Sequence, residues 1–391
     1  MLPSCLPMGR TLLRWGYRMK VCRPRSLQQH SQRAQAKTAI LMHNMGDSHH
    51  TEDVAAYLER LFTDEDIMSL PFQSFLGPLI AKRRAPKLMQ KYKKMAPGKG
   101  LLEWTELQGA LLADMLDKTS PETGPHKYFI GFRYSKPLIE DALLQIEREG
   151  FERVVAFSQY PQYSCCTTGS NLNAMYRFCS KQQLLSKAKW IFIDRWPIHD
   201  AITQAYAVII EEELKKFPED VQQQVVLLFS AHSLPMKVVD RGDTYPSEVA
   251  ATVVSIMSKL NNSHSYRLVW QSKVGPMPWL RPNTEEAMRA LVKEGHRHVM
   301  VVPVSFVNEH VETLYDMDVE LGRELAPEIG VLNFIRAPAL NDHHVFIRGL
   351  ADLVKKHLKL QKKCSPQLLM TCPMCTNDTC KHMRKWIETL P

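Results

Sequence analysis

The chain has 391 residues, 45% of them hydrophobic, and a formal net charge of +9. That length is enough for two domains, each with its own core. Residues 1–37 hold eight Lys or Arg and no acidic residue, so subtracting them leaves +1 for the rest of the chain, which argues against nonspecific nucleic-acid binding. No run approaches the roughly 18 consecutive apolar residues that a membrane span requires.

The basic opening segment, residues 1–37, is typical of a mitochondrial transit peptide. Its arginines stand among Ser, Leu and Gln, and it lacks the unbroken apolar core of a secretory signal. An ordinary disordered basic tail is the alternative. The nine cysteines of an imported matrix protein are not expected to form disulfides, because that compartment keeps thiols reduced.

Eight strand-like runs alternate with stretches of helical periodicity. This alternation predicts an α/β protein with parallel sheets and helices on both faces. The runs are Thr38–Met45, Lys127–Tyr134, Val154–Tyr160, Lys189–Trp196, Val225–His232, Tyr266–Val274, Val299–Phe306 and Val331–Ile335.

The sequence also repeats itself at an offset of 145 residues. Lys136–Ala142 resembles Arg281–Ala287, and an apolar strand follows each, at Val154 and Val299. The repeat predicts two similar four-strand halves with a cleft between their strand ends. We expect the first half over 38–221, the second over 222–350 and a C-terminal extension over 351–391.

An insertion distinguishes the first half, since about 80 residues separate its first two strands against about 35 in the second half. Within this insertion, about 47–105, the apolar run Phe72–Ile80 precedes the basic cluster Lys82–Arg84. Apolar residues beside basic ones suit a lip that rests on an anionic membrane surface. A helix buried on one side is the alternative.

Candidate chemistry collects at the carboxyl ends of the predicted strands, where parallel sheets display functional side chains. The apolar strand Val225–Phe229 runs into His232, and a histidine titrates near neutral pH and can take a proton or bind a metal. A packed or solvated loop histidine is the alternative. Neither a G-x-G-x-x-G loop nor a Walker A motif is present, which argues against a dinucleotide or nucleoside triphosphate.

After the seventh strand, three carboxylates recur at every fourth residue. Glu312, Asp316 and Glu320 would share one helix face, where like charges repel by roughly 0.2–0.5 kcal/mol per pair. A neighbouring cation would therefore be favourable, and His310 lies just upstream. The pattern fits a metal path, and a solvated acidic face is the alternative.

Three cysteines near the C-terminus, Cys372, Cys375 and Cys380, have C-x₂-C-x₄-C spacing. Zinc and iron–sulfur sites normally need four ligands, so one more must come from elsewhere in the chain. The spacing indicates a metal site but leaves the metal open. The available fourth ligands are Cys165, Cys166, Cys179 and Cys364.

Five segments together resemble the animal ferrochelatases. The resemblance covers about residues 38–391. The segments are Gln159–Cys165 (QYPQYSC), Asp194–Pro197 (DRWP), Phe229–Pro235 (FSAHSLP), Trp270–Trp279 (WQSKVGPMPW) and His310–Tyr315 (HVETLY).

The resemblance implies insertion of ferrous iron into protoporphyrin IX to make protoheme. It also implies two Rossmann-like halves, a [2Fe–2S] cluster, and a homodimer on the matrix face of the inner mitochondrial membrane. By matching motif the cluster ligands are Cys165, Cys372, Cys375 and Cys380. His232 and Glu312 become the catalytic pair, with His310, Asp316 and Glu320 extending the polar line. The residues that would contact the macrocycle are Met45, Arg133, Tyr134, Tyr160, Trp196, Trp279 and Phe306, and those that would anchor its propionates are Arg84, Tyr92 and Ser272.

The residue types agree with this reaction. A porphyrin must lose two N–H protons as the metal arrives, so its site needs a proton acceptor and a route for the cation. Imidazole and carboxylate are also ligands that ferrous iron accepts. A tetrapyrrole-binding protein of the same fold without turnover, and a zinc-stabilised two-domain scaffold, are the competing interpretations.

One loop departs from the family pattern. Ferrochelatases usually follow the first strand with Asn-x-Gly-Gly-Pro or Asn-x-Gly-Thr-Pro, whereas this chain has Asp47 and Ser48 after Gly46. His43 also occupies a strand position that is usually apolar. We expect the loop to be looser and the added negative charge to weaken porphyrin affinity without removing the chemistry.

Overall fold

The structure is a computed structural model that describes residues 38–48, 51–67, 72–95, 97–184, 187–360 and 362–391. The predicted transit peptide lies outside the described residues.

The first half contains a four-stranded parallel sheet whose strands are ordered β2-β1-β3-β4. Its central strand β1 is buried on both faces, as a continuous apolar run predicts. Each of the four predicted strands is confirmed but ends one to three residues earlier than predicted, because the last residues leave the sheet to form loops. The strands are β1 Thr38–Asn44, β2 His126–Phe132, β3 Arg153–Ser158 and β4 Lys189–Ile193.

The second half repeats this topology with the strand order β6-β5-β7-β8, again all parallel. Two sheets of the same order confirm the predicted α/β architecture of two similar halves. The strands are β5 Val226–His232, β6 Tyr266–Gln271, β7 His298–Val302 and β8 Asn333–Arg336.

Helices connect and cover the two sheets. The α-helices are α1 Val54–Thr63, α2 Gln73–Lys94, α3 Leu101–Thr119, α4 Ile139–Glu149, α5 Ser170–Gln182, α6 Asp200–Leu214, α7 Met236–Asp240, α8 Tyr245–Lys259, α9 Thr284–Lys293, α10 Ala326–Ile329, α11 His344–Leu360, α12 Pro366–Leu369 and α13 Asp378–Thr389. Short 3₁₀ turns span Pro121–Thr123 and Gln222–Gln224, and π-helical segments span Cys165–Gly169 and Glu312–Leu325.

The sequence repeat corresponds to the same strand–helix connection in both halves. The N–H of Phe132, at the end of β2, donates to the Pro137 carbonyl (2.8 Å), and the N–H of Trp270 in β6 donates to the Pro282 carbonyl (2.9 Å). Helices α4 and α9 then begin at the two positions that are 145 residues apart. The second connection is longer, and its extra residues, which include Ser272, approach the site described below.

One apolar core joins the halves. It contains Ile40 from the first sheet, Phe229 from the second and Phe346 from α11. Helix α11 packs closely on α6, where Gly349 lies against Ala201 and a Cβ added to the glycine would come within 2.4 Å of the alanine Cα. Helix α11 spans His344–Leu360 and so continues without a break across the predicted boundary between residues 350 and 351.

Helices α1 and α2 form a hairpin built from the predicted insertion. Leu58 and Phe62 of α1 pack on Ala81 and Ala85 of α2. The start of α2 exposes a separate apolar stripe of Phe72, Phe75 and Leu79. The hairpin therefore has one buried face and one exposed apolar face. Within the part of the chain that the structure describes, no helix is long and apolar enough to span a membrane.

Candidate functional site

His232 is the last residue of β5, at the carboxyl edge of the second sheet. Its Nδ1 lies 2.6 Å from the Ser233 carbonyl oxygen, which can only accept, so Nδ1 carries the proton. The lone pair of the neutral ring is then on Nε2, which lies 3.5 Å from Glu312 Oε1. The Trp279 ring is centred 6.5 Å from the imidazole. The geometry presents a proton-accepting nitrogen beside a carboxylate.

Glu312 lies between two histidines at the start of the π-helix Glu312–Leu325. Its second oxygen, Oε2, is 3.9 Å from His310 Nε2 and is buried without a hydrogen-bond partner among the described residues. His310 in turn lies against Phe306, with ring centres 4.8 Å apart. A buried carboxylate oxygen without a partner is costly, so this atom is suited to receive a proton or a cation.

The three carboxylates lie on a π-helix and not on the α-helix that their spacing predicted. A π-helix closes i→i+5 hydrogen bonds, is rare, and is frequent at functional sites. Burial first, and then the charge of Glu312, raises the pKa of Asp316 to about 6. Lys91 from α2 bridges Asp316 and Glu320, with its Nζ 2.6 Å from Asp316 Oδ1 and 3.5 Å from Glu320 Oε1. The acidic row is therefore half-buried and contacts helix α2 through Lys91.

On the first half, Tyr160 lies over the end of β1. Its hydroxyl donates to Asn44 Oδ1 (2.8 Å) and accepts from the Met45 N–H (3.2 Å). Arg133 and Tyr134 follow β2 and both contact Asp64, at 2.8 Å and 2.6 Å. The structure thus brings these predicted pocket residues to one sheet edge. In this structure, Arg133 and the buried Tyr134 are both bound to the carboxylate of Asp64.

Two other predicted groups are placed differently. Trp196 is buried in the shared core, stacked between Phe157 and Phe346, and its Nε1–H donates to the Ser158 carbonyl (3.0 Å). The predicted propionate anchors lie in three places. Arg84 is on the exposed face of α2, Tyr92 is eight residues (about 12 Å along the helix axis) further on, and Ser272 donates to Asp316 Oδ2 (3.4 Å). Their roles toward a porphyrin stay predictions.

The unusual loop after β1 is ordered by Asp47. Its buried carboxylate accepts hydrogen bonds from the Tyr92 hydroxyl, the Ser48 N–H (2.9 Å) and the Val311 N–H (3.5 Å). Burial raises the pKa of Asp47, opposed by the charge of His310 and these hydrogen bonds. The left-handed residue of the loop is Gly46 (φ 86°), not Asp47. Asp47 therefore ties the loop to α2 and to the start of the π-helix, and its effect on porphyrin affinity stays a prediction.

Sequence reasoning missed three residues of this site: Asp64, Lys91 and Ser305. Ser305 Oγ accepts from the His232 backbone N–H (3.2 Å), and Asp64 anchors the Arg133–Tyr134 pair. Lys91 could have been suggested by the acidic row, which favours a cation, but nothing in the sequence indicates which of the many lysines supplies it.

Two of the segments that carry the predicted cluster cysteines contact residues 241–243. Cys165 donates its backbone N–H to Asp243 (2.8 Å), and the 372–375 loop packs there through Pro373 against Gly242. Cys380 Sγ accepts from Asn173 Nδ2 of α5 (3.3 Å). Cys179 lies in a separate apolar core. In the described ranges, no three His, Cys, Asp or Glu side chains are arranged closely enough to hold a metal ion.

Comparison with known proteins gives one family. The family model described as Ferrochelatase matches residues 37–358. "Ferrochelatase, mitochondrial" of Bos taurus is 50% identical over 353 residues, which is 90% of this chain and 85% of that protein. The Gallus gallus protein of the same name is 48% identical over 96% of this chain and 94% of its own length, and the Drosophila melanogaster one is 50% identical over 90% and 92%.

Proposed function

The chain belongs to the ferrochelatase family, and on that basis we propose how its residues carry out the reaction of the family. It is an enzyme of heme synthesis that inserts ferrous iron into protoporphyrin IX. Insertion exchanges two pyrrole protons for one Fe²⁺, so the site must accept protons and admit a cation. A tetrapyrrole-binding protein without turnover is the disfavoured alternative.

His232 acts as the proton acceptor. The observation that supports this role is the tautomer, because Nδ1–H is held by the Ser233 carbonyl and the basic Nε2 faces Glu312 at 3.5 Å. A pyrrole proton taken by Nε2 makes an imidazolium that the Glu312 carboxylate stabilises. Asp316 and Glu320 continue the line of carboxylates away from His232. The pocket aromatics hold the ring while the protons leave.

The function is tested by incubating purified protein with protoporphyrin and ferrous iron under anaerobic conditions and following heme absorbance. Heme formation that requires all three components supports the enzyme. Porphyrin binding without any heme formation would instead support the tetrapyrrole-binding alternative.

Glu312→Gln should slow iron insertion at least about 100-fold, because the substitution removes the charge that stabilises the imidazolium. Thermal stability should change little, since Glu312 Oε2 has no hydrogen-bond partner to lose within the described chain. The rate of heme formation and the melting temperature are the measurements. Glu324→Gln, on an exposed position of the same π-helix, is the matched control. Full activity with a lowered melting temperature would assign Glu312 a structural role.

We infer that the chain also binds a [2Fe–2S] cluster through Cys165, Cys372, Cys375 and Cys380. Four thiols fit such a cluster, and the contacts of the Cys165 backbone and of the 372–375 loop with residues 241–243 support the assignment. A second support is the buried Arg384, whose Nη2 lies 4.0 Å from Cys372 Sγ and whose Nη1 has no hydrogen-bond partner in the described chain. A cluster held by four thiolates is anionic, which suits this guanidinium. When bound, it would supply a one-electron centre and crosslink the C-terminal extension to the first half.

The exposed start of α2 is proposed to rest on the matrix face of the inner mitochondrial membrane. Phe72, Phe75 and Leu79 form its apolar stripe, and the exposed Lys82 and Arg83 follow directly. In peripheral membrane proteins, apolar side chains typically insert into the bilayer while neighbouring cations bind anionic headgroups. The relatives' names support mitochondrial localisation, with residues 1–37 as the transit peptide. A homodimer is proposed from family resemblance alone.

Phe75→Ser combined with Leu79→Ser should weaken binding to anionic lipid vesicles by about tenfold or more, because two apolar side chains lose their burial in the bilayer. Vesicle co-sedimentation measures the effect. Leu332→Ser removes an equally exposed apolar side chain from the second half and should leave vesicle binding unchanged. Equal binding by the double variant and the parent protein would place the membrane contact elsewhere.

A further inference from the structure

Lys91 is a cation from another element that reaches the acidic row. It projects from the last turns of α2, and its Nζ lies 2.6 Å from Asp316 Oδ1 and 3.5 Å from Glu320 Oε1. The same ammonium lies 4.8 Å from the centre of the Tyr315 ring. Its side chain is only 20% exposed, so the contact is shielded from solvent. An ammonium thus occupies the space between the second and third carboxylates of the row.

The position of Lys91 along the row is informative. Glu320 is the most exposed carboxylate of the row (43%), Asp316 and Glu312 are less exposed (18% and 25%), and the row ends at the Nε2 of His232. A cation that enters at Glu320 therefore meets the Glu320–Asp316 pair before it reaches Glu312. At that pair it meets the ammonium of Lys91.

A neighbouring ion pair shows by contrast what a fixed counter-cation looks like. Arg336 donates two hydrogen bonds to Asp318 (2.6 and 2.8 Å) and one to Glu309 (2.6 Å). Both partners of that guanidinium lie close to it in the second half. Lys91 instead has one short contact, to Asp316 (2.6 Å), and a longer one to Glu320 (3.5 Å), comes from the lip hairpin, and is a point charge on a flexible stem. The Lys91 ammonium is therefore held by fewer short contacts than the Arg336 guanidinium.

We propose that Lys91 is a positioning residue that controls entry of the divalent metal substrate by occupying the Asp316–Glu320 pair. In its presence one of the two negative charges of this pair is offset, so a metal ion binds there less tightly unless it displaces the ammonium. Once the ammonium is displaced, the pair offers carboxylate oxygens to the incoming Fe²⁺. The proposal rests on the iron-insertion function for its metal substrate, but its test does not require turnover.

The test measures binding of Mn²⁺ alone to the full protein without porphyrin, from the loss of the electron paramagnetic resonance signal of free Mn²⁺. Manganese prefers carboxylate ligands over thiols, so the cysteines should contribute little. Lys91→Met should bind Mn²⁺ at least about tenfold more tightly than the parent. This is the smaller end of the effect that one opposite charge at this distance has on the proton affinity of a carboxylate. Lys91→Arg, which keeps the charge, should behave as the parent.

Two controls identify the carboxylates as the cause. Lys93→Met removes the same charge from an exposed position two residues away and should leave Mn²⁺ affinity unchanged. Adding Glu320→Gln to Lys91→Met should abolish the gain. In the heme assay, Lys91→Met should lower the KM for iron and leave the KM for porphyrin unchanged.

The proposal is overturned if folded Lys91→Met binds Mn²⁺ no more tightly than the parent, or if Lys93→Met gains as much. Lys91→Gln keeps a hydrogen-bonding side chain and replaces Lys91→Met if that variant does not fold. A loss of packing cannot raise metal affinity, so a merely structural role predicts no gain. An Mn²⁺ gain in a protein that makes no heme would support the Lys91 proposal while refuting the catalytic function.

Discussion

His232→Ala should reduce iron insertion to less than a few per cent of the parent rate while porphyrin binding stays within about tenfold. The substitution removes the imidazole at the end of β5, whose Nε2 lies 3.5 Å from Glu312. General-base catalysis by a positioned histidine contributes about 10²–10⁴-fold, which sets the expected loss. Porphyrin affinity should survive because the other residues proposed to contact the ring are mostly aromatic and apolar. Heme formation under anaerobic conditions and porphyrin fluorescence quenching are the two measurements.

His264→Ala is the matched control, since that histidine lies on the loop before β6 and its ring contacts Ser263 and the Gln222 carbonyl. It should leave insertion unchanged. If His232→Ala keeps a substantial rate, the proton acceptor lies elsewhere, with His310 as the next candidate at 3.9 Å from Glu312. If porphyrin binding is lost together with insertion, His232 holds the ring and not the proton.

Cys165→Ser should abolish the iron–sulfur cluster. The purified parent protein should be brown, with about two irons and two labile sulfides per chain as a [2Fe–2S] cluster requires. The variant should be colourless, because the three C-terminal cysteines cannot complete four ligands. Visible absorbance and iron and sulfide analysis measure the change.

Cys166→Ser is a demanding control because its sulfur lies only 4.0 Å from that of Cys165. Cys166 belongs to the shared apolar core, and Cys179 to a second core, so serine at either position should leave the protein brown. A colourless parent that holds one zinc ion per chain would contradict the cluster assignment. If Cys166→Ser bleaches the protein and Cys165→Ser does not, the fourth cluster ligand is Cys166 and not Cys165.

The architecture could be predicted from the sequence because strand and helix periodicity is a local property. All eight predicted strands are present, and the 145-residue repeat predicts the two halves, whose strand orders are equivalent. The ends of the strands were less predictable, since residues such as Tyr160 leave the sheet to bond with Asn44 and Met45 from another strand. Such contacts depend on tertiary packing that no local pattern contains.

The site divides in the same way. His232 and Glu312 could be selected from their positions at the end of a strand and the start of a helix. The π-helical form of the acidic segment could not, because its residue spacing also fits an α-helix. The partners of Lys91 and Asp47 could not be predicted either, since each meets a residue more than 200 positions away, at Asp316 and Val311.

The shared core that Ile40, Phe229 and Phe346 build across both sheets has a consequence for folding. Each half repeats the topology of the other, yet each also places side chains of its sheet in this shared core, so either one alone would expose a large apolar surface to water. The two halves are therefore expected to melt in a single cooperative transition and not as separate units. The duplicated units of this chain are therefore not expected to fold independently. The two halves of the repeat form one folding domain.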